Sequence, residues 1–214
     1  MSRKTYIFDL DGTLLDTLQD LAAAVNYALR QNGMEEHSID DIRHFVGNGV
    51  RKLIERSVPA GTSASEISQV FADFRAYYMQ HSQDSTRPYD GICEMLQELK
   101  KQGCKMAVVS NKMMAATKEL VAHFFPEIEV AIGENEAAGL RKKPAPDMVH
   151  EALQQLHAEA GTAIYVGDSD VDIQTAKNAG LPCISVLWGF RNKTFLTEHG
   201  AQQFAEKPAD LVTI

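Results

Sequence analysis

Four short segments of this chain carry residue types that could do chemistry, and the first contains two carboxylates separated by one residue. In Asp9-Leu10-Asp11-Gly12-Thr13 the acids follow an apolar run. Two carboxylates at a strand-to-turn transition can converge on one site, where a cation reduces their repulsion. An acidic surface turn is the alternative for such a pair taken alone. An EF-hand calcium loop is excluded, because it requires glycine at its sixth position and Gly12 is the fourth residue counted from Asp9.

The other three segments add a hydroxyl, a lysine and further carboxylates. Ser110 and Asn111 follow a second apolar run, where a hydroxyl and an amide suit a phosphate oxygen or, equally, cap a helix. Lys143 precedes Pro144, whose stiff backbone would hold the lysine in place. The last segment follows a third apolar run and is Gly167-Asp168-Ser169-Asp170-Val171-Asp172. Its three acids are costly to bring together without a cation, although a surface turn that caps a helix is the simpler interpretation.

The elements that must position these segments have the pattern of an α/β fold. Short apolar runs typical of buried parallel strands alternate with helical patterns. We predict strands at 5–8, 106–109, 163–166 and 183–186. This alternation predicts a doubly wound, Rossmann-like parallel sheet with helices on both faces. In such sheets ligands bind at the carboxyl ends of the strands, which is where the four segments lie.

The region 17–83 has a different pattern, which predicts an all-helical domain inserted after the first strand. Apolar residues recur there at helical spacing, and Ser38 and Ser63 each begin the pattern of a capping box. We predict no strand in this region. The predicted domains are a catalytic core of residues 1–16 plus 84–214 and a helical cap of residues 17–83.

Composition and charge limit the partners that this protein can have. Among 214 residues, 21 Lys and Arg stand against 29 Asp and Glu, which gives a formal net charge of −8. That balance argues against a nucleic-acid-binding protein. No apolar stretch has the length of a membrane span, and the residues before the first strand are not typical of a secretion signal. The three cysteines form no C-x-x-C pair and are expected to be reduced and buried, so we expect a cytoplasmic protein.

Taken in order, the four segments resemble the motifs of the haloacid dehalogenase superfamily of phosphohydrolases, and the resemblance covers nearly the whole chain. The matching positions are Asp9 to Thr13 for the first motif, Ser110 for the second, Lys143 before Pro144 for the third, and Gly167 to Ser169 with Asp172 for the fourth. The helical insertion is similar to the cap of the subclass that contains phosphoglycolate phosphatases, pyrophosphatases and β-phosphoglucomutases. Three stretches, at 16–17, 46–49 and 141–147, are most similar to the phosphoglycolate phosphatase branch.

The resemblance implies a role for each matched residue. Asp9 would be the nucleophile that forms an aspartyl phosphate, Asp11 the general acid and then the base, and Lys143 the cation that neutralises charge around them. Mg²⁺ would be held by Asp9, by Asp11 through its backbone carbonyl, and by Asp168, with Asp172 nearby. The residues implied to bind the substrate are Ser110, Asn111 and Gly12 in the core and Arg51 and Lys52 in the cap. For at least one of these two cap cations, the solvated face of a helix is the expected location.

The implied activity is Mg²⁺-dependent hydrolysis of a small phosphate monoester, with 2-phosphoglycolate as the first candidate. The cap would choose the substrate by closing over the pocket. A dehalogenase has no need of Asp11 or Mg²⁺, and a phosphorylated signalling receiver would lack the helical insertion, so both are disfavoured. A sugar phosphomutase resembling β-phosphoglucomutase, a pyrophosphatase, and a non-catalytic phospho-ligand-binding or phosphorelay protein stay open as alternatives.

Overall fold

A computed structural model of the chain describes residues 5–213, whose backbone divides into two compact units. One unit contains the chain up to Leu15 and from Pro88 onward, and the other is Asp16–Arg87. The second unit begins one residue before and ends four residues after the region 17–83 predicted from the sequence.

Asp20 explains why the second unit extends past residue 83. Its buried carboxylate accepts hydrogen bonds from the backbone N–H groups of Ser85 and Thr86, each at 2.9 Å. A carboxylate that accepts several backbone hydrogen bonds holds the donating segment firmly. The segment that leads out of this unit is therefore attached to the helix that leads into it.

The first unit is built on a parallel sheet of six strands. In chain order the strands of the protein are β1 (Thr5–Phe8), β2 (Leu15–Asp16), β3 (Arg87–Pro88), β4 (Lys105–Met113), β5 (Val130–Glu134), β6 (Ala163–Gly167), β7 (Cys183–Val186) and β8 (Phe204–Ala205). The order across the sheet is β5-β4-β1-β6-β7-β8, and β2 pairs with β3 in a separate two-stranded sheet. Every pair in the six-stranded sheet is parallel. The predicted Rossmann-like α/β core is confirmed.

Helices cover both faces of this sheet and bury two apolar cores. They are α5 (Ile92–Lys101), α6 (Met114–Phe124), α7 (Asp147–Gln155), α8 (Asp170–Asn178) and α9 (Lys193–Glu198). Successive residues of β1 point to opposite faces, as in any strand. Tyr6 and Phe8 pack in the core that contains α5 and α6, and Ile7 packs in the core that contains α7 and α8. A strand buried on both faces fixes the position of the residue that follows it, Asp9.

The sequence prediction of the strands was incomplete in two ways. Strands β2, β3, β5 and β8 were missed, because β5 has only three apolar residues before Gly133 and each of the other three has only two residues in all. Strand β4 continues to Met113 instead of ending at residue 109. Asn111 and Lys112 therefore belong to a strand and not to a turn before a helix.

The second unit is helical, and no strand forms between residues 17 and 86, all of which are described. Its helices are α1 (Leu18–Gln31), α2 (Ile39–Phe45), α3 (Val50–Ser57) and α4 (Ala64–His81). Both predicted capping boxes are present, with Ser38 and Ser63 as the N-cap residues of α2 and α4. None of the helices within residues 5–213 is long and apolar enough to cross a membrane.

The three cysteines all lie within the described residues and form no disulfide. Cys104 is buried, whereas Cys93 and Cys183 are partly exposed, so the expectation of burial holds fully for Cys104 alone.

Candidate active site

Three buried carboxylates from different segments meet at the carboxyl edge of the sheet. Asp9 directly follows β1, Asp168 directly follows β6, and Asp172 lies in the first turn of α8. One oxygen of each carboxylate lies within 4.8 Å of the others. The N–H of Asp9 donates to the carbonyl of Val166 at 2.9 Å, so the β1–β6 pairing runs to the edge of the site. Neighbouring parallel strands that end together bring these acids into one cluster.

Lys143 reaches into this cluster. Its Nζ lies 2.8 Å from Asp9 Oδ1 and 2.8 Å from Asp172 Oδ1, and its side chain is 2% exposed. Asn111 holds the backbone of this lysine, because its carboxamide accepts from the Lys143 N–H at 2.8 Å and donates to the Lys143 carbonyl at 3.1 Å. The structure thus brings Lys143 to Asp9, while the carboxamide of Asn111, which we predict to contact the substrate, bonds to the lysine's own backbone.

Burial and like charges control the ionisation of the cluster. Burial raises the pKa of Asp9 well above its usual value, the Asp172 carboxylate raises it further, and Lys143 offsets only part of this. Burial and Asp172 also raise the pKa of Asp168 to about 7. Burial alone lowers the pKa of Lys143, but the carboxylates of Asp172 and Asp9 outweigh it, so the pKa lies above its usual value. A divalent cation among these acids would favour their ionised forms.

Hydrogen bonds occupy both oxygens of Asp172. Oδ1 accepts from Lys143 Nζ and from the hydroxyl of Tyr165 at 3.1 Å. Oδ2 accepts from the N–H of Ser169 at 3.1 Å and from its hydroxyl at 2.6 Å. Asp172 therefore caps α8 and also lies in the acidic cluster. A carboxylate bonded in this way is suited to orient Lys143 beside a metal ion.

A segment after β7, which the sequence analysis missed, positions Asp168. The N–H of Phe190 donates to Asp168 Oδ2 at 2.7 Å, and Trp188 Nε1 donates to the carbonyl of Thr13 at 2.9 Å. A side chain at Gly189 would collide with Asp168. The signal that could have revealed this segment is a Trp-Gly-Phe sequence that begins one residue beyond a predicted strand, since glycine there marks a close approach.

Gly12 permits a second close approach to Asp168. It has a φ of +85°, and a Cβ at this position would lie 2.5 Å from Asp168 Oδ2. Its N–H donates to the carbonyl of Leu15 at 2.9 Å. In this structure Gly12, which we predict to bind the substrate, uses its N–H within the turn after β1.

Asp11 pairs with a lysine that the sequence analysis did not single out. Lys112 Nζ lies 2.8 Å from Asp11 Oδ1 and 3.1 Å from Oδ2. The lysine side chain is 2% exposed and the aspartate side chain 15% exposed. Ser110, two residues earlier in β4, is buried, and its Oγ accepts from the Lys112 N–H at 3.2 Å. The sequence signal that could have pointed to Lys112 is its position directly after the Ser110-Asn111 pair.

The two cap cations lie on α3, in the other unit, where both pair with Glu55. Arg51 Nε is 3.4 Å and Lys52 Nζ 2.7 Å from the carboxylate, and their side chains are 46% and 56% exposed. Arg51 also lies over the ring of Phe71, 5.9 Å from its centroid. The structure places both cations on an exposed face of their own unit.

The chain is similar to known proteins over almost its whole length. A family model described as haloacid dehalogenase-like hydrolase matches residues 6–186. The phosphoglycolate phosphatase of Aquifex aeolicus (strain VF5) is 33% identical over 213 residues, which cover 99% of this chain and 96% of that protein. The phosphoglycolate phosphatase of Rhodobacter capsulatus is 34% identical over 190 residues, or 86% and 84% of the two chains. A crystal structure from Lactobacillus delbrueckii subsp. bulgaricus, provisionally named a phosphoglycolate phosphatase, has a TM-score of 0.94 and 36% identity and covers 99% of this chain and 98% of that one.

Proposed function

This chain belongs to the haloacid dehalogenase-like hydrolase family and is a phosphohydrolase, and from that premise we propose that it hydrolyses a small phosphate monoester with Mg²⁺ through a phosphoryl group carried on Asp9. The observation that carries this proposal is the convergence of three buried carboxylates around Lys143 at the carboxyl edge of the sheet. Phosphoryl transfer depends chiefly on positioning and on stabilisation of charge, which such a cluster supplies.

The donors at this edge fit a Mg²⁺ ion. Carboxylate and carbonyl oxygens are its preferred protein ligands. The pKa values of Asp9 and Asp168 are raised first by burial and then by the neighbouring negative charge of Asp172, and a cation would offset both effects. The carboxylates of Asp9 and Asp168 and the backbone carbonyl of Asp11 would hold the ion, with Asp172 orienting Lys143 beside it. When bound, the ion supplies positive charge that stabilises the phosphoryl oxygens.

In the first half of the reaction, the Asp9 carboxylate attacks phosphorus. An Asp9 O–P bond forms as the bond from phosphorus to the leaving oxygen breaks, and Asp11 gives that oxygen a proton. In the second half, Asp11 takes a proton from a water molecule that attacks the same phosphorus. As the bond from the water oxygen to phosphorus forms, the Asp9 O–P bond breaks and inorganic phosphate leaves, so both carboxyl groups return to their starting states.

Lys143 and Ser110 bind the group in transfer. The Lys143 ammonium, fixed at 2.8 Å from Asp9, reduces repulsion between this acid and the anionic ester. The Ser110 Oγ accepts from the Lys112 N–H, so its own hydrogen is directed elsewhere and can be donated to a phosphoryl oxygen.

We take 2-phosphoglycolate as the substrate and the Asp16–Arg87 unit as the cap that selects it. The names of the relatives support the substrate. The helical composition of the unit and its exposed Arg51 and Lys52 are consistent with a selecting role. Because both cations already pair with Glu55, either of them would have to leave that carboxylate to bind the substrate.

The test is phosphate release from a panel of esters, with Mg²⁺ or with chelator, for the wild type, Asp9→Asn and Asp170→Asn. The panel contains 2-phosphoglycolate, β-glucose 1-phosphate, other sugar phosphates, nucleotides and pyrophosphate. Asp170 is the matched control, since it lies in the same acidic segment but outside the cluster. We expect Mg²⁺-dependent release, fastest from 2-phosphoglycolate, that Asp9→Asn abolishes and Asp170→Asn retains. Isomerisation of β-glucose 1-phosphate without phosphate release would instead support the mutase.

A further inference from the structure

The pair formed by Asp11 and Lys112 has a geometry suited to fixing a reactive carboxylate. The lysine contacts both oxygens of Asp11, at 2.8 and 3.1 Å. Two contacts to one carboxylate restrict its rotation about the Cβ–Cγ bond, which a single contact would leave free. Asp11 itself follows β1 in a turn, where its side chain would otherwise have several rotamers to choose from.

The lysine can perform this role because its own backbone is fixed by two hydrogen bonds and packs closely against the neighbouring strand. Its N–H donates to Ser110 Oγ at 3.2 Å, and its carbonyl accepts from the hydroxyl of Thr117 at 3.3 Å. A Cβ at Gly133 of the neighbouring strand would lie only 2.7 Å from that carbonyl oxygen, so β4 and β5 approach closely here. Lys112 is therefore anchored to the sheet, and its ammonium is a fixed point for Asp11.

An irregularity in β4 directs this side chain. The pairing of β4 with β5 changes register between Val109 and Met113. Register irregularities of this kind are common beside active sites, where they redirect side chains. Within this stretch Asn111 holds the backbone of Lys143, and Lys112 holds Asp11. One strand end thus positions both the cation and the proton carrier of the proposed reaction.

From this geometry we propose that Lys112 is the positioning residue for Asp11, holding its carboxylate where it serves the leaving group; the inference rests on the acid role of Asp11 in the proposed function. A proton donor contributes to catalysis only when it is within hydrogen-bond reach of the leaving oxygen. A misplacement of about 1 Å can lower the rate about 10²-fold.

The test compares esters whose leaving groups need a proton to different degrees. An alkyl phosphate chosen from the panel needs the acid, whereas 4-nitrophenyl phosphate has a leaving group that departs without protonation. The quantity measured is kcat/KM, because it reports the steps up to departure of the leaving group and is independent of the later hydrolysis at Asp9. The variants are Lys112→Met, Asp11→Asn and the double variant.

The control is Lys105→Met, the same substitution on the same strand. Lys105 Nζ donates to the carbonyls of Leu156 and His157, at the end of α7. Lys105→Met removes a positive charge and hydrogen bonds, as Lys112→Met does, but Lys105 does not contact Asp11. Melting temperatures of all variants show that each is folded, and Lys112→Gln replaces Lys112→Met if the latter does not fold.

We expect Lys112→Met to lower kcat/KM for the alkyl ester about 10²-fold. For 4-nitrophenyl phosphate, kcat/KM of Lys112→Met should stay close to that of Lys105→Met. Adding Lys112→Met to Asp11→Asn should cause little further loss, because the two residues act as one unit. Equal losses on both esters, or full additivity with Asp11→Asn, would overturn the inference. If Asp11→Asn itself affects both esters equally, the acid role fails, and the positioning role fails with it.

Discussion

The hydroxyl of Tyr165 contacts two residues of the candidate active site, although Tyr165 itself takes no part in the proposed reaction. It lies 3.1 Å from Lys143 Nζ and 3.1 Å from Asp172 Oδ1, in a buried setting. Burial and the Asp172 charge raise the pKa of this phenol well above its usual value, so it stays neutral. It can therefore accept from the ammonium and donate to the carboxylate at the same time.

Replacing Tyr165 with Phe should lower kcat about tenfold, because hydrogen bonds to charged groups are worth about 1.5–3 kcal/mol and Lys143 loses one of the contacts that fix it. The matched control is Tyr6→Phe. Tyr6 is also a buried tyrosine on the same sheet, and its hydroxyl donates to the carbonyl of Leu211 at 3.0 Å. The measurement is kcat together with the melting temperature. Equal kcat values for the two variants would show that Tyr165 is structural only.

At the scale of elements, helix α8 begins inside the site. Ser169 is its N-cap residue, with its Oγ accepting from the N–H of Asp172 at 3.3 Å. In return, the Ser169 N–H donates to the carboxylate of Asp172, which also contacts Lys143. The start of one helix is thus shared between local stability and the geometry of the cluster.

We therefore expect Ser169→Ala to lower both stability and activity. Loss of an N-cap serine costs about 1 kcal/mol, and Asp172 also loses a hydrogen bond of 2.6 Å that fixes its orientation. Ser63→Ala is the control, because Ser63 forms the same capping box at α4, in the unit that does not contain the acidic cluster. Denaturant unfolding and kcat should show similar destabilisation in both variants and a loss of kcat in Ser169→Ala alone. A wild-type kcat in Ser169→Ala would show that the N-cap of α8 contributes to stability but not to the geometry of the acidic cluster.

Sequence could predict those parts of the fold that local patterns determine. The capping boxes at Ser38 and Ser63 require only residues three apart, so they could be identified directly. The Asp11–Lys112 pair joins residues 101 positions apart, and its lysine lies on a strand extension that apolar periodicity does not mark. The contact of Phe190 with Asp168 likewise arises only when β6 and β7 lie side by side.

At the scale of the whole molecule, we expect the buried acidic cluster to make the stability of the folded chain depend on pH and on a bound cation. The pKa of Asp168 is about 7 in the folded chain, against 3.8 as its usual value. Between these values the folded state binds more protons than the unfolded state, so this group lowers the stability of the metal-free protein as pH rises towards 7. A cation that binds only the folded chain acts in the opposite direction.

Thermal unfolding at pH 8 should therefore show two effects of Asp168→Asn. In chelator the variant should melt above the wild type, because a buried negative charge has been removed. Mg²⁺ at about 100 times its Kd should stabilise the wild type by about 2.7 kcal/mol and leave Asp168→Asn unchanged, while Asp170→Asn behaves as the wild type. A Mg²⁺ effect that survives in Asp168→Asn would place the ion elsewhere.

The measurement that tests the central claim most directly is the capture of the phosphoryl group on the protein. The enzyme is mixed with its preferred ester and Mg²⁺, quenched in acid during turnover, digested, and analysed by mass spectrometry. We predict a phosphorylated peptide that carries Asp9 and is absent in Asp9→Asn. With 4-nitrophenyl phosphate, whose leaving group departs without protonation, the same peptide should be enriched in Asp11→Asn, because that variant then lacks only the base for the second half of the reaction. Asp9→Asn itself should lower kcat by about 10⁴-fold or more. Turnover by the wild type without any phosphorylated peptide, together with an active Asp9→Asn, would contradict the account.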